Sequence, residues 1–214
     1  MSTLSLTFDN SPGNVVLPIT GTSLAVSIDW DDGTTNTSLS HTYSASGPFT
    51  AIITVTSGTV IQFGSGSATW GSGADKLTEV ATNDTSTWGL PGVSSFFGAF
   101  YGCTALTVVP TQIPSSVTNT NYMFEGATSF NADIGDWDVS TVTDMSYMFS
   151  DAIVFNQDIR YWDVSSVGTF SNMFIGATAF YTAYSGSIDY ATTPLSTFFK
   201  QFSDNGVTYY FTED

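Results

Sequence analysis

The stretch Gly135–Phe149 reads GDWDVSTVTDMSYMF, and Arg160–Phe174 reads RYWDVSSVGTFSNMF. The second copy follows the first by 25 residues, with tryptophan, Asp-Val-Ser and Met-Phe in the same places. Aligning on the Met-Phe pair extends the pattern in both directions. Met123-Phe124, Met148-Phe149 and Met173-Phe174 are spaced by 25, and Phe198-Phe199 stands where the next pair falls. Upstream, Ala99–Leu106 (AFYGCTAL) matches MFEGATSF at an interval of 24. Lys76–Val80 (KLTEV) is a weaker match and is expected to be a degenerate earlier coil.

A fixed period with apolar residues in fixed phases is the mark of a solenoid, in which one coil cannot bury its own apolar side but stacked coils can. The inward set of one coil is Phe124, Ala127, Phe130, Ile134, Trp137, Val139, Val142 and Met145. One period on it becomes Phe149, Ala152, Phe155, Ile159, Trp162, Val164, Val167 and Phe170, with Phe174 and Phe180 continuing two of the columns. Every member is apolar, so the repeat predicts a stacked core in which Trp137 and Trp162 lie on one another, largely buried. Asn131 and Asn156 share a phase just after the inward Phe. There a buried Asn is expected to bond turn backbone. Asp138 and Asp163, each followed by Val-Ser, suit turn caps better than ligands. Cys103 takes the phase of Ala127, Ala152 and Ala177, which makes it a small buried hydrophobe rather than a catalytic thiol.

The N-terminal part differs in kind. Short alternating or β-branched runs (LSLTF, VVLPI, LAVSIDW, SLSHTY, FTAIITVT, TVIQFG) alternate with turn residues, which predicts about six strands in a small antiparallel sandwich. The Asp-Gly of DWDDGTT suits a tight hairpin. The boundaries that follow are a sandwich over 1–66, a Gly/Ser-rich linker with a degenerate first coil over 67–98, a solenoid over 99–197 and a C-terminal cap over 198–214 that includes the turn SDNG. The linker is short and holds Trp70, so the sandwich is expected to cap the solenoid.

Two resemblances attach to these residues. Trp30, Asp32, Gly33, His41, Tyr43, Gly47 and Phe49 resemble the Trp-x-Asp-Gly, His-x-Tyr and Gly-x-Tyr signature of the polycystic-kidney-disease (PKD) type of immunoglobulin-like domain. Phe49 stands where that family usually has Tyr. Met123–Phe174 resembles more closely the BspA-like leucine-rich-repeat surface proteins, with their MFxxAxxFNxDIxxWDVSxVxxMxxMF repeats. The fold implied is mainly β: a PKD/Ig-like β-sandwich followed by a leucine-rich-repeat-like solenoid of about four to five coils. The function implied is non-enzymatic, an adhesion-type module binding protein or glycan at a cell or particle surface. The alternative is a structural subunit of a virion, self-assembling or contacting capsid proteins. The N-terminus carries no evident secretory signal, which favours the virion form of an extracellular location.

Charge narrows the classes. Nineteen acidic residues face three basic ones, Lys76, Arg160 and Lys200, for a formal charge of −16. Such a chain repels phosphate backbones, so nucleic acid is set aside. No apolar run is long enough to span a bilayer. Asp29, Asp31 and Asp32 place three carboxylates in four residues, a set that could hold calcium through oxygen ligands. No other cofactor is implied. His41 has no neighbouring nucleophile for a triad and is read as a strand residue. Threonines do not hold phase between coils, which argues against an ice-binding array. Tyr181, Tyr184, Tyr190, Tyr209 and Tyr210 cluster toward the C-terminus as candidate contact residues. Without a paired acid and nucleophile set apart from the repeat, the sequence points to no enzyme.

Overall fold

A computed structural model describes residues 1–9, 13–64, 73–184, 193–194 and 198–199. The protein is mainly β, with antiparallel sheets at its N-terminal end. The strands are β1 (Thr3–Phe8), β2 (Asn14–Val16), β3 (Ile19–Asp29), β4 (Thr35–Asn36), β5 (Ser40–Thr42), β6 (Phe49–Phe63) and β7 (Leu77–Thr82). Five of them form one sheet in the order β4-β3-β6-β1-β7, and β2 pairs with β5 in a second. Alternation sets the faces: Leu4, Leu6 and Phe8 of β1 and Phe49, Ala51 and Ile53 of β6 all point into the core, as a two-residue side-chain period requires.

Three expectations about this part are corrected. The fifth and sixth predicted strands are one strand, β6, which pairs with β3 along its length. Register shifts in β3 and the left-handed Gly58 (φ 83°) absorb the twist. The run VVLPI splits around Pro18, which has no N–H to donate, into β2 and the start of β3. Leu77–Val80, most of the expected degenerate coil, lies in β7: it is hydrogen-bonded to β1 in the five-stranded sheet and on its other side bridges in parallel from Glu79 to Val108 of the first pass. The Asp-Gly segment closes the β3–β4 hairpin by a longer loop than a two-residue turn, with Trp30 N–H donating to Thr34 O at 2.9 Å.

From residue 90 onward the chain makes successive passes joined by parallel bridges: Gln62 to Ser95, Ser95 to Asn119, Asn119 to Asp144, and Asp144 to Thr169. The sheet and the stack are continuous. At one strand, Phe63 N–H donates to Ser95 O and Val60 N–H to Pro91 O. At another, Val80 N–H donates to Val108 O.

The backbone of each pass is neither strand nor helix. The N–H groups of 96, 98, 100 and 102 donate to the carbonyls of 119, 121, 123 and 125. Those of 120, 122, 124 and 126 donate to 144, 146, 148 and 150, and those of 145, 147, 149 and 151 to 169, 171, 173 and 175. The intervening N–H groups close three-residue turns within the pass, such as Met123 to Thr120 O and Ala127 to Phe124 O. Every second donor therefore crosses to the next pass and the others stay local, which leaves this buried backbone satisfied. The geometry needs two left-handed residues per pass. They are Gly98 and Gly102, Tyr122 and Gly126, Tyr147 and Asp151, Asn172 and Gly176.

The repeated Met-Phe pair now has a reason. Met123, Met148 and Met173 and their following phenylalanines are all fully buried. Phe100, Phe124, Phe149 and Phe174 stack in one column with centroid spacings of 5.4, 5.7 and 5.8 Å. Phe130, Phe155 and Phe180 stack in another at 6.0 and 5.8 Å. The other predicted inward residues are buried too, apart from the half-buried Val167.

Trp137 and Trp162 are buried, but their rings do not lie on one another. Each is pinned to the turn before it: Trp137 Nε1–H donates to Pro110 O and Trp162 Nε1–H to Ile134 O, both at 3.0 Å. Trp88 holds the same phase two periods upstream and points the other way, donating to Gln112 O at 2.7 Å. Trp88 and Trp137 meet edge-to-face at 6.0 Å across the turn where Ile113 takes that phase. The last described pass ends in a short helix, α1 (Thr178–Tyr184). Most of the predicted cap, with SDNG, Tyr190, Tyr209 and Tyr210, lies outside the described residues, as do Trp70 and most of the linker.

Candidate binding face

The acidic triplet does not build a cation site. Asp29 Oδ1 accepts the N–H of Asp31, Asp31 Oδ2 accepts the N–H of Thr50, and Asp32 Oδ1 accepts the N–H of Thr34. Asp32 Oδ2 lies 2.7 Å from His41 Nε2. Each carboxylate is thus already engaged: Asp29 within its own turn, Asp31 on Thr50 of β6, and Asp32 on Thr34 and His41. Among the described residues no group of three or more His, Cys, Asp or Glu side chains is placed to hold a metal, so the calcium expectation is withdrawn. Burial raises the Asp32 carboxyl, but the hydrogen bonds from His41 and Thr34 outweigh it and hold the group below its usual range. His41 stacks on Trp30 at 4.9 Å and meets Tyr43 edge-on.

Within the stack, Asp138 Oδ1 accepts the N–H of Ser140 and Asp163 Oδ1 that of Ser165, so both close turns. Asn131 and Asn156 are exposed rather than buried. Asn131 Oδ1 accepts the Asn156 N–H at 3.0 Å, a rung between passes on the surface. Cys103 is fully buried. Burial first, and then Asp75, push its thiol well above the usual value, which removes the thiolate a nucleophile would need. Tyr184 packs on Phe180 at 4.5 Å and Phe198 at 5.8 Å, and so belongs to the closing of the core. Asp133, Asp136, Asp158, Gln157 and Tyr161 line a shallow recess on the surface.

The arrangement that singles itself out was not among the expected sites. The residues between the buried ones fall in columns one period apart. One column runs Gly98, Tyr122, Tyr147, Asn172 and another Tyr101, Glu125, Ser150, Ile175, all of them partly or fully exposed except Gly98 and Ser150. Tyr122 and Tyr147 adopt φ of 59° and 57°, a region that bulky residues rarely occupy. Their rings stack at 4.7 Å and 10°. Phe97 meets Tyr122 edge-on at 5.9 Å, and Asn172 Nδ2 donates to the Tyr147 hydroxyl at 2.8 Å.

Polar groups surround this pair. Asn121 Nδ2 donates to Asp144 Oδ2 at 3.1 Å, and Asp144 Oδ1 accepts the N–H of Ser146. Asn121 Oδ1 and Glu125 Oε2 are buried atoms with no hydrogen-bond partner. Leaving such an acceptor unmet costs about 1–3 kcal/mol. Burial, and then the charge of Asp151, raise the Glu125 carboxyl. Burial, and then Tyr147, Glu125, Asp144 and Tyr101, raise the Tyr122 phenol. These groups therefore share one electrostatic neighbourhood. A sequence signal for the face did exist: NYMFEGA and SYMFSDA keep a tyrosine before Met-Phe at the full period, flanked by polar residues.

A family model described as a Mycoplasma protein of unknown function, DUF285, matches residues 94–206, more than half of the chain. The chain belongs to the DUF285 family. Neither a curated protein nor a solved structure matches it. The matched span begins at the first pass of the stack, at the Ser95 bridge, and leaves the antiparallel sheets outside it. The DUF285 part of the chain therefore includes the whole Tyr122–Tyr147 face. Among the described residues no helix is long and apolar enough to cross a membrane.

Proposed function

We propose that this protein is a surface-exposed, non-enzymatic binding module of the adhesion type, taking a protein or glycan on the outward face of its stacked turns. In this reading the N-terminal sheets are a PKD/Ig-like sandwich that caps a leucine-rich-repeat-like solenoid of the BspA kind. The observation that supports it most is the Tyr122–Tyr147 pair. Two aromatic side chains stand in left-handed positions that Gly98 fills without strain in the neighbouring pass. They point outward, where they add little to the core. Partly exposed aromatics beside unmet polar atoms are a common make-up of contact surfaces.

The test uses the full chain, immobilised and probed with a panel of defined extracellular matrix proteins and a glycan array, beside a Tyr122→Ser/Tyr147→Ser double variant. At least one defined ligand is expected to bind the native chain and to lose tenfold or more in affinity, about 1.4 kcal/mol, with the variant. A panel bound equally by both chains, or by neither, overturns the reading.

A further inference from the structure

The chemistry around Tyr122 and Tyr147 narrows the kind of ligand, on the assumption that the binding-face reading holds. A neutral sugar needs an open ring face. One face of Tyr122 is covered by Tyr147, and Phe97 meets the ring as well. The two rings cover one face of each other, which leaves their edges and phenol oxygens as the polar-facing parts of the pair. Around them stand the carboxyl of Glu125, the carboxylates of Asp144 and Asp151, and the amide of Asn121.

Among the described residues no cation stands here. Of the protein's three basic residues, Lys76 pairs with Asp75 at 3.0 Å and Arg160 with Asp158 at 2.9 Å, and Lys200 lies outside the described residues. Glu125 has no ion pair among the described residues; its Oε2 is buried without a hydrogen-bond partner, while the residue as a whole is partly exposed. Beside it the outward positions are Gly102 and Gly126. A side chain built at Gly102 would meet nothing, and one built at Gly126 would meet only the Gly102 backbone at 3.7 Å. The result is an open stretch of backbone at Gly102 and Gly126 beside an acid-and-phenol edge. A second copy of this chain, at a formal charge of −16, would bring like charge to that edge.

We propose that this face docks an arginine-bearing polypeptide segment, laid over the open backbone of Gly102 and Gly126 with a guanidinium against the Glu125 carboxyl and the Tyr122–Tyr147 edges. Arginine fits better than lysine because its planar fork offers five donors to an edge made of acceptors.

The test compares two peptides of about a dozen residues, one with several arginines and one with citrulline in their place, titrated into the full chain at roughly physiological salt, where diffuse attraction is screened. Citrulline keeps the shape and most donors but removes the charge. Two single-charge variants serve as a pair: Glu125→Gln on the face, and Asp136→Asn in the recess lined by Asp133 and Tyr161. The arginine peptide is expected to bind and to shift the Tyr122 and Tyr147 ring signals in NMR spectra. Glu125→Gln is expected to weaken it by about tenfold or more, the usual worth of a hydrogen bond to a charged group, and Asp136→Asn by less than about twofold.

Equal weakening by the two variants would mean diffuse charge and would overturn the proposal. If citrulline binds as well as arginine and the tyrosine double variant weakens both, the cationic ligand is wrong while the binding face stands. If the double variant leaves the affinity of every ligand unchanged, the face itself is wrong.

Discussion

Trp137 and Trp162 occupy one phase of the repeat, yet the structure predicts that they answer the same substitution differently. Replacing either with Phe removes the second ring and the indole N–H. The lost volume is alike at both sites, because both side chains are buried, and costs about 1 kcal/mol. The hydrogen bonds are not alike. Trp162 Nε1–H donates to Ile134 O, but that carbonyl also accepts the backbone N–H of Trp137 at 3.1 Å. Losing one of two donors there costs about 1 kcal/mol, the net worth of an ordinary hydrogen bond. Trp137 Nε1–H donates to Pro110 O, and Pro110 is buried. Among the described residues no second donor reaches that carbonyl, so it is left unmet at about 1–3 kcal/mol. Trp137 also loses part of its edge contact with Trp88, worth about 0.5–1.5 kcal/mol.

The expected destabilisation is about 2 kcal/mol for Trp162→Phe and about 3–4 kcal/mol for Trp137→Phe. Urea unfolding followed by far-UV circular dichroism would show this as midpoint drops of roughly 1 M and roughly 1.5 M at an unchanged slope. Equal drops, or a larger one for Trp162→Phe, would refute the assignment of the two carbonyls. A loss below about 0.5 kcal/mol at both sites would refute the buried indole bonds altogether.

Two further outcomes are expected. Asp151 (φ 54°) stands in the column of Gly102, Gly126 and Gly176, and its charge helps raise the Glu125 carboxyl. Asp151→Gly should therefore stabilise by about 0.5–1 kcal/mol, the left-handed strain released less the backbone entropy of glycine. A raised folded-state carboxyl contributes its stability below the ordinary value and loses it as pH rises through the raised one. The gain should thus be larger at about pH 7 than at about pH 4, and thermal melts showing the reverse would count against it. Asp84 accepts hydrogen bonds from Ser86, Ser2 and Thr87, which bring its carboxyl down to about 2 from the usual 3.8. Its contribution is present above the usual value and lost as pH falls toward about 2. Asp84→Ala should flatten the acid limb of the stability profile in that window, and an unchanged limb would argue against the three bonds.

The sequence by itself determined the period, the inward residues and the division between a strand-rich start and a stacked remainder. Burial is what makes that legible. A position facing the shared core must be apolar in every pass, so Phe124, Phe149 and Phe174, or Cys103, Ala127 and Ala152, repeat their character along the chain. A shared phase alone does not mean burial: Asn131 and Asn156 repeat because they form a rung on the surface.

Only the tertiary structure decided that β7 belongs to the sheet, that β6 is one strand, and that the tryptophans bond to carbonyls of neighbouring turns instead of stacking. Only it showed that Tyr122 and Tyr147 sit in left-handed positions with their rings together. A non-glycine residue does not announce a positive φ in its sequence. Nor does a carboxyl announce that burial and a neighbour one pass away have left it without a partner. Both follow from how one turn lies on the next, and that offset exists only once the chain is stacked.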